Sequence, residues 1–151
     1  MIQLRSKQRL YASLLLLGAC ILLFRTTTMI VQGYLGIFVF WVSVLLIAEL
    51  LIDLGCAVFS VVWWISADVS KDRIPLRFGA TAAILHAFRV LIYVLGRIGP
   101  WINFDIKPEH HDSHYTHWEI YWIYFAAIMA ILGVIGVVAI WQYRRRVKKT
   151  T

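Results

Sequence analysis

Long apolar runs alternate with short polar connections along the chain. The first run extends from Leu10 to about Ile30, the second from Tyr34 to Trp64, the third from about Pro75 to Ile98 and the fourth from Trp118 to Tyr143. A helix rising ~1.5 Å per residue needs ~20 apolar residues to cross a hydrocarbon layer of ~30 Å, so each run is long enough to span one. The second run exceeds that requirement, and a single helix over it is expected to tilt or to project from the bilayer. Aromatic residues bracket the runs: Tyr34, Trp41, Trp63, Trp64, Trp101, Trp118, Trp122, Trp141 and Tyr143. Amphipathic rings at the ends of apolar stretches are the interfacial belt of a membrane helix.

This pattern predicts an all-α integral membrane protein. The expected architecture is a four-transmembrane-helix up-down bundle, forming one transmembrane domain over residues 1–151 with an outer loop over 99–117. Without water between the helices, their association must come from close backbone approach and interhelical hydrogen bonds. Ala126, Ala130 and Gly133 form a small-residue stripe on the fourth helix that suits a packed face. The first run also begins like a signal peptide, with Arg5, Lys7 and Arg9 before it and Leu17-Gly18-Ala19-Cys20 within it. It continues through Ile21-Leu22-Leu23-Phe24, where a cleaved leader turns polar, and it is read as a retained span.

Composition agrees with this assignment. Of the 151 residues, 61% are hydrophobic and only 15% charged, whereas a water-soluble domain carries about a quarter of charged residues. Such apolarity also rules out an intrinsically disordered chain. The net charge of +7 lies at the edges of the apolar runs, where cations meet lipid headgroups, and there is no soluble basic module for nucleic acid to bind. Arg5, Lys7 and Arg9, then Lys71, Arg73 and Arg77, then Arg144, Arg145, Arg146, Lys148 and Lys149 fall on one side; Arg25, Arg97 and Lys107 fall on the other. The excess places both termini in the cytoplasm of a cell with an inner or plasma membrane. Cys20 and Cys56 both lie in apolar runs and read as small buried residues rather than as a disulfide.

The chemistry with most to say is carried by ionisable residues inside the spans. Glu49 lies near the middle of the second run and Asp53 one turn later on the same face; His86, Arg89 and Tyr93 form a matching stripe on the third. Consecutive spans run antiparallel, so Glu49 is expected to face His86 or Arg89. A charge at the bilayer centre costs about 2.5–3.5 kcal/mol, so these groups must point inward and compensate one another. Two roles follow from such a stripe: a structural clamp that fixes helix register, or a path for protons or ions in which His86 and the extra carboxylate titrate. A haem ligated by two histidines would need a second one at similar depth, and no other span holds one.

Four of the five histidines lie in the outer loop, within eight positions. If that segment is helical, His110, His114 and His117 share a face and can hold Zn²⁺, Ni²⁺ or Cu²⁺ with Asp112 or Glu109 as an oxygen ligand. The alternative is a solvated juxtamembrane turn. Trp101, Tyr115 and Trp118 give the same loop aromatic anchors for docking a partner. There is no phosphate-binding glycine loop and no nucleophile elbow. Two functions are therefore expected in order: a non-catalytic subunit or interaction module of a membrane assembly, hetero- or homo-oligomeric, and a small transporter or channel coupled to protons or a divalent metal.

Overall fold

The computed structural model describes residues 2–68, 74–97, 107, 109 and 121–150. Five α-helices account for almost all of them: α1 (Ile2–Val31), α2 (Tyr34–Ile37), α3 (Phe40–Ile65), α4 (Ile74–Arg97) and α5 (Tyr121–Thr150), with one 3₁₀ turn over Ser66–Asp68. Four of these, α1, α3, α4 and α5, are long and apolar enough to cross a membrane. Large side chains that would be buried in a soluble protein stand on their outer surfaces, among them Phe24, Leu51, Phe88, Tyr124 and Ile131. Outer faces built this way are suited to lipid.

The four long helices form a closed ring, α1 against α3, α3 against α4, α4 against α5 and α5 back against α1. Neighbours are antiparallel. Gln8 meets Trp63 and Thr26 meets Asp53 across the first pair, and Tyr11, Gly18 and Arg25 meet Gly136, Met129 and Trp122 across the last. Glycines let the backbones approach. A Cβ on Gly133 would lie 2.7 Å from the Ala83 Cβ, and one on Gly79 would lie 2.5 Å from the Trp63 ring. Ala126 and Gly133 of the expected small-residue stripe turn inward, while Ala130 is only half-buried.

The second apolar run departs from its expectation. It is not one tilted helix over 34–64 but the short α2 and the long α3, separated by extended backbone at Phe38 and Val39. Gly33, at φ 86°, makes the preceding turn in a left-handed conformation that glycine adopts without steric cost. The break exposes carbonyls that must find donors. Ser43 Oγ donates to Leu35 O at 3.0 Å; Lys107 donates its backbone N–H to Ile37 O at 3.0 Å and its Nζ to Gly36 O at 2.7 Å. The aromatic and β-branched stretch Ile37–Val42 is a weak helix former and yields to these partners.

Two other helices extend beyond their apolar runs. α1 starts at Ile2 rather than near Leu10, because polarity at Ser6, Lys7 and Gln8 does not interrupt a helix; α5 likewise runs through the basic segment after Tyr143. Pro75 sits in the first turn of α4, where its missing N–H has no helical partner to lose. At the other end of α3, buried Gln8 donates through Nε2 to Trp63 O at 2.9 Å, and Ser66 Oγ donates to the same carbonyl at 2.9 Å. Replacing Gln8 with leucine is expected to cost about 0.5–1.5 kcal/mol, the net worth of one such bond. Thermal unfolding in detergent measures it, and an unchanged midpoint would mean that Ser66 alone satisfies that carbonyl.

Candidate functional site

Local helix geometry builds the site. Residues four apart on α3 stack on one face, so Glu49 and Asp53 point the same way, toward α4. Arg89 rises from α4 between them. Its Nη1 lies 3.0 Å from Glu49 Oε2 and its Nε donates to Asp53 Oδ1 at 2.8 Å. The third helix in contact is α1, whose Thr26 hydroxyl accepts from Arg89 Nη2 at 3.1 Å. That hydroxyl has one proton to give, and two acceptors lie in reach: Asp53 Oδ2 at 2.9 Å and its own helix's Leu22 O at 3.0 Å. Glu49, Asp53, Arg89 and Thr26 are each 0% exposed.

The cluster therefore joins three helices through one guanidinium. Arginine suits the position because its planar fork presents several donors in fixed directions, which a lysine ammonium does not. Among the described residues, two carboxyl groups here face one permanent cation. A buried site of this kind is stable only when hydrogen bonds compensate lost hydration, and Asp53 obtains both of its bonds from Arg89 and Thr26.

Of the two partners expected for Glu49, Arg89 is the one that meets it. His86 lies one turn before Arg89, is fully buried, and neither ring nitrogen reaches an aligned hydrogen-bond partner; the polar group beside it is the Leu15 backbone of α1. The α3 stripe continues through Cys56, whose Sγ is 3.9 Å from Ala82 O, to buried Ser60 and Trp63. Tyr93 belongs to α4, but its side chain lies outside the described residues. Cys20 corrects an expectation: it stands exposed on the outer face of α1, so only Cys56 is buried, and both are free thiols.

Thr26 stands outside the stripe that helical spacing predicts. The only hint in the sequence is a hydroxyl in the same helical register as Leu15, Ala19 and Leu22, all of which are buried. Arg25, next to it, is also buried and places its guanidinium 5.2 Å from the centre of the Trp122 ring, which ties α1 to the start of α5. A cation held over an indole face keeps favourable electrostatics where water is scarce.

His110, His114, His117 and Asp112, with Trp101, Tyr115 and Trp118, lie outside the described residues, whereas Glu109 is described and exposed. Among the described residues, no three His, Cys, Asp or Glu side chains are grouped to share a metal ion. Compared with known proteins, the chain matches no family model, no curated protein and no solved structure.

Proposed function

We propose that this chain is a non-catalytic membrane module, inserted with both termini on the cytoplasmic side, that acts as a subunit of a larger membrane assembly. Its companions are other membrane subunits or further copies of itself. The observation that carries the reading is the closed bonding of Arg89: one side chain ties Glu49, Asp53 and Thr26 on two neighbouring helices and all four are sealed from solvent. A clamp of that kind holds helix register. It leaves the outer surfaces and the loop carrying Trp101, Tyr115 and Trp118 to make contacts with partners.

Extraction from its own membrane in mild detergent, followed by native gel electrophoresis, tests this. The chain is expected to migrate within a larger complex of defined composition. Migration as a uniform monomer that carries flux after reconstitution would overturn the proposal.

A second reading has its own observation. Among the described residues the cluster holds one more carboxyl group than cation, and His86 is a titratable ring one turn away with no aligned partner. A small carrier or channel for protons or a divalent metal would use those groups, with His110, His114, His117 and Asp112 gathering Zn²⁺, Ni²⁺ or Cu²⁺ at its entrance. Proton and Zn²⁺ flux into proteoliposomes decides between the two. If the stripe is a path, Glu49→Gln and His86→Ala each lower flux at least about tenfold, as loss of a required proton carrier does; flux equal to that of empty vesicles, in the unmodified chain, removes the reading.

A further inference from the structure

We propose that the outer groove between α4 and α5 is a binding site for one anionic phospholipid, held by its acyl chain in the groove and its phosphate at the arginine-bearing end. The groove encloses about 410 Å³ and is lined solely by apolar side chains, with Ala80, Ile84 and Ala87 on one wall and Ala130, Val134 and Val138 on the other. Ala80, Ala83 and Ala87 on α4 and Ala130 on α5 keep the walls low. The result is a furrow rather than a filled seam.

Dimensions point to a lipid chain. Ala80 to Ala87 covers about 10 Å of helix and Ala130 to Val138 about 12 Å. One leaflet of a ~30 Å hydrocarbon layer is about 15 Å deep. The furrow thus has nearly the depth of a single leaflet and does not cross the whole layer.

Two cations stand beyond one end of the furrow. Arg77 is exposed and lies one turn before Ala80, in the register Arg77, Ala80, Ile84, Ala87 that forms the wall itself. On α5 the wall continues as Val138, Trp141 and Arg145, and the Arg145 guanidinium rests 4.2 Å from the centre of the Trp141 ring. Because α4 and α5 are antiparallel, both arginines stand beyond the same end. At the other end the stripes continue as Leu91, and as Ala127 and Tyr124. Arginines above a leaflet-deep apolar furrow complement a phosphate above its acyl chain. A second copy of this chain is disfavoured as occupant, since it would bring its own Arg77 and Arg145 against the first pair.

The site is independent of the function proposed above, because it uses none of the buried cluster. Its test is native mass spectrometry of the full chain released from detergent micelles that hold equal amounts of phosphatidylglycerol and phosphatidylcholine with the same acyl chains. Retained phosphatidylglycerol is expected to exceed phosphatidylcholine, by about fivefold for each arginine that contacts the phosphate. Arg77→Gln and Arg145→Gln each reduce that ratio by about the same factor, while Lys7→Gln, exposed on α1 away from the groove, leaves it unchanged. Ala87→Leu, which fills the furrow, lowers the retention of both lipids, and helical circular dichroism of every variant establishes that it is folded. Equal retention of the two lipids overturns the proposal. So does a ratio that Lys7→Gln lowers as much as the other two, or a dimer of the chain that Ala87→Leu dissociates.

Discussion

Arg89→Leu is expected to destabilise the folded chain by about 3–5 kcal/mol, the cost of stranding a buried charge whose partner has been removed. The substitution keeps the volume of the apolar stem but leaves Glu49 and Asp53 facing each other's helix turn at zero exposure, with no cation between them. Thr26 loses a donor at the same time, although its hydroxyl still reaches Asp53 Oδ2. Unfolding of the purified chain in mixed detergent micelles, followed by circular dichroism, reads the loss. A triple variant, with Glu49→Gln and Asp53→Asn added to Arg89→Leu, is expected to recover most of it, because replacing a whole buried ionic group with neutral side chains is close to balanced whereas breaking one is not. If Arg89→Leu alone unfolds at the same detergent ratio as the unmodified chain, the guanidinium is not what holds α3 and α4 together.

How far the sequence foretells this cluster depends on which physical rule governs each residue. Glu49 and Asp53 are legible because a spacing of four fixes one helix face whatever the tertiary fold. Their meeting with Arg89 is legible because consecutive spans are antiparallel and ionisable groups at matching depth must compensate. Thr26 is not, since a hydroxyl carries no comparable penalty and can satisfy itself on the preceding turn, as its contact with Leu22 O shows. Nothing local reveals that it also bridges two charged groups from other helices.

The same distinction explains the second apolar run. Hydropathy is continuous through Ile37–Val42, so composition alone predicts one long helix. Beside the local Gly33 turn and the Ser43 bond, the break draws on Lys107, some seventy positions later in sequence, whose main chain and ammonium satisfy two of the freed carbonyls. Long-range donors of this kind leave no periodic trace. Cys20 fails for a different reason: a small residue fits a lipid-facing position as readily as a packed one, and only the ring of helices decides between them.

Helix association without a hydrophobic drive places unusual weight on close backbone approach, and that makes Gly133 a position at which even the smallest side chain should do damage. A methyl group there would meet the Ala83 Cβ at 2.7 Å and the Ala83 Cα at 3.0 Å. The second obstacle is backbone, which cannot rotate away, so α4 and α5 must separate. Gly18 offers a matched comparison. Its added Cβ would collide with the end of the Met129 side chain, a flexible thioether with three rotatable bonds that can move aside. Gly133→Ala is therefore expected to cost about 1–3 kcal/mol, the range for overpacking a tight contact, while Gly18→Ala stays near neutral or gains slightly from better helix propensity. Both changes add one methyl to a glycine in a long helix, so propensity cancels between them and the difference in unfolding midpoint reports the packing alone. Equal midpoints would mean that α4 and α5 have room to part without loss, and that the α4–α5 seam is not where the bundle is held closed.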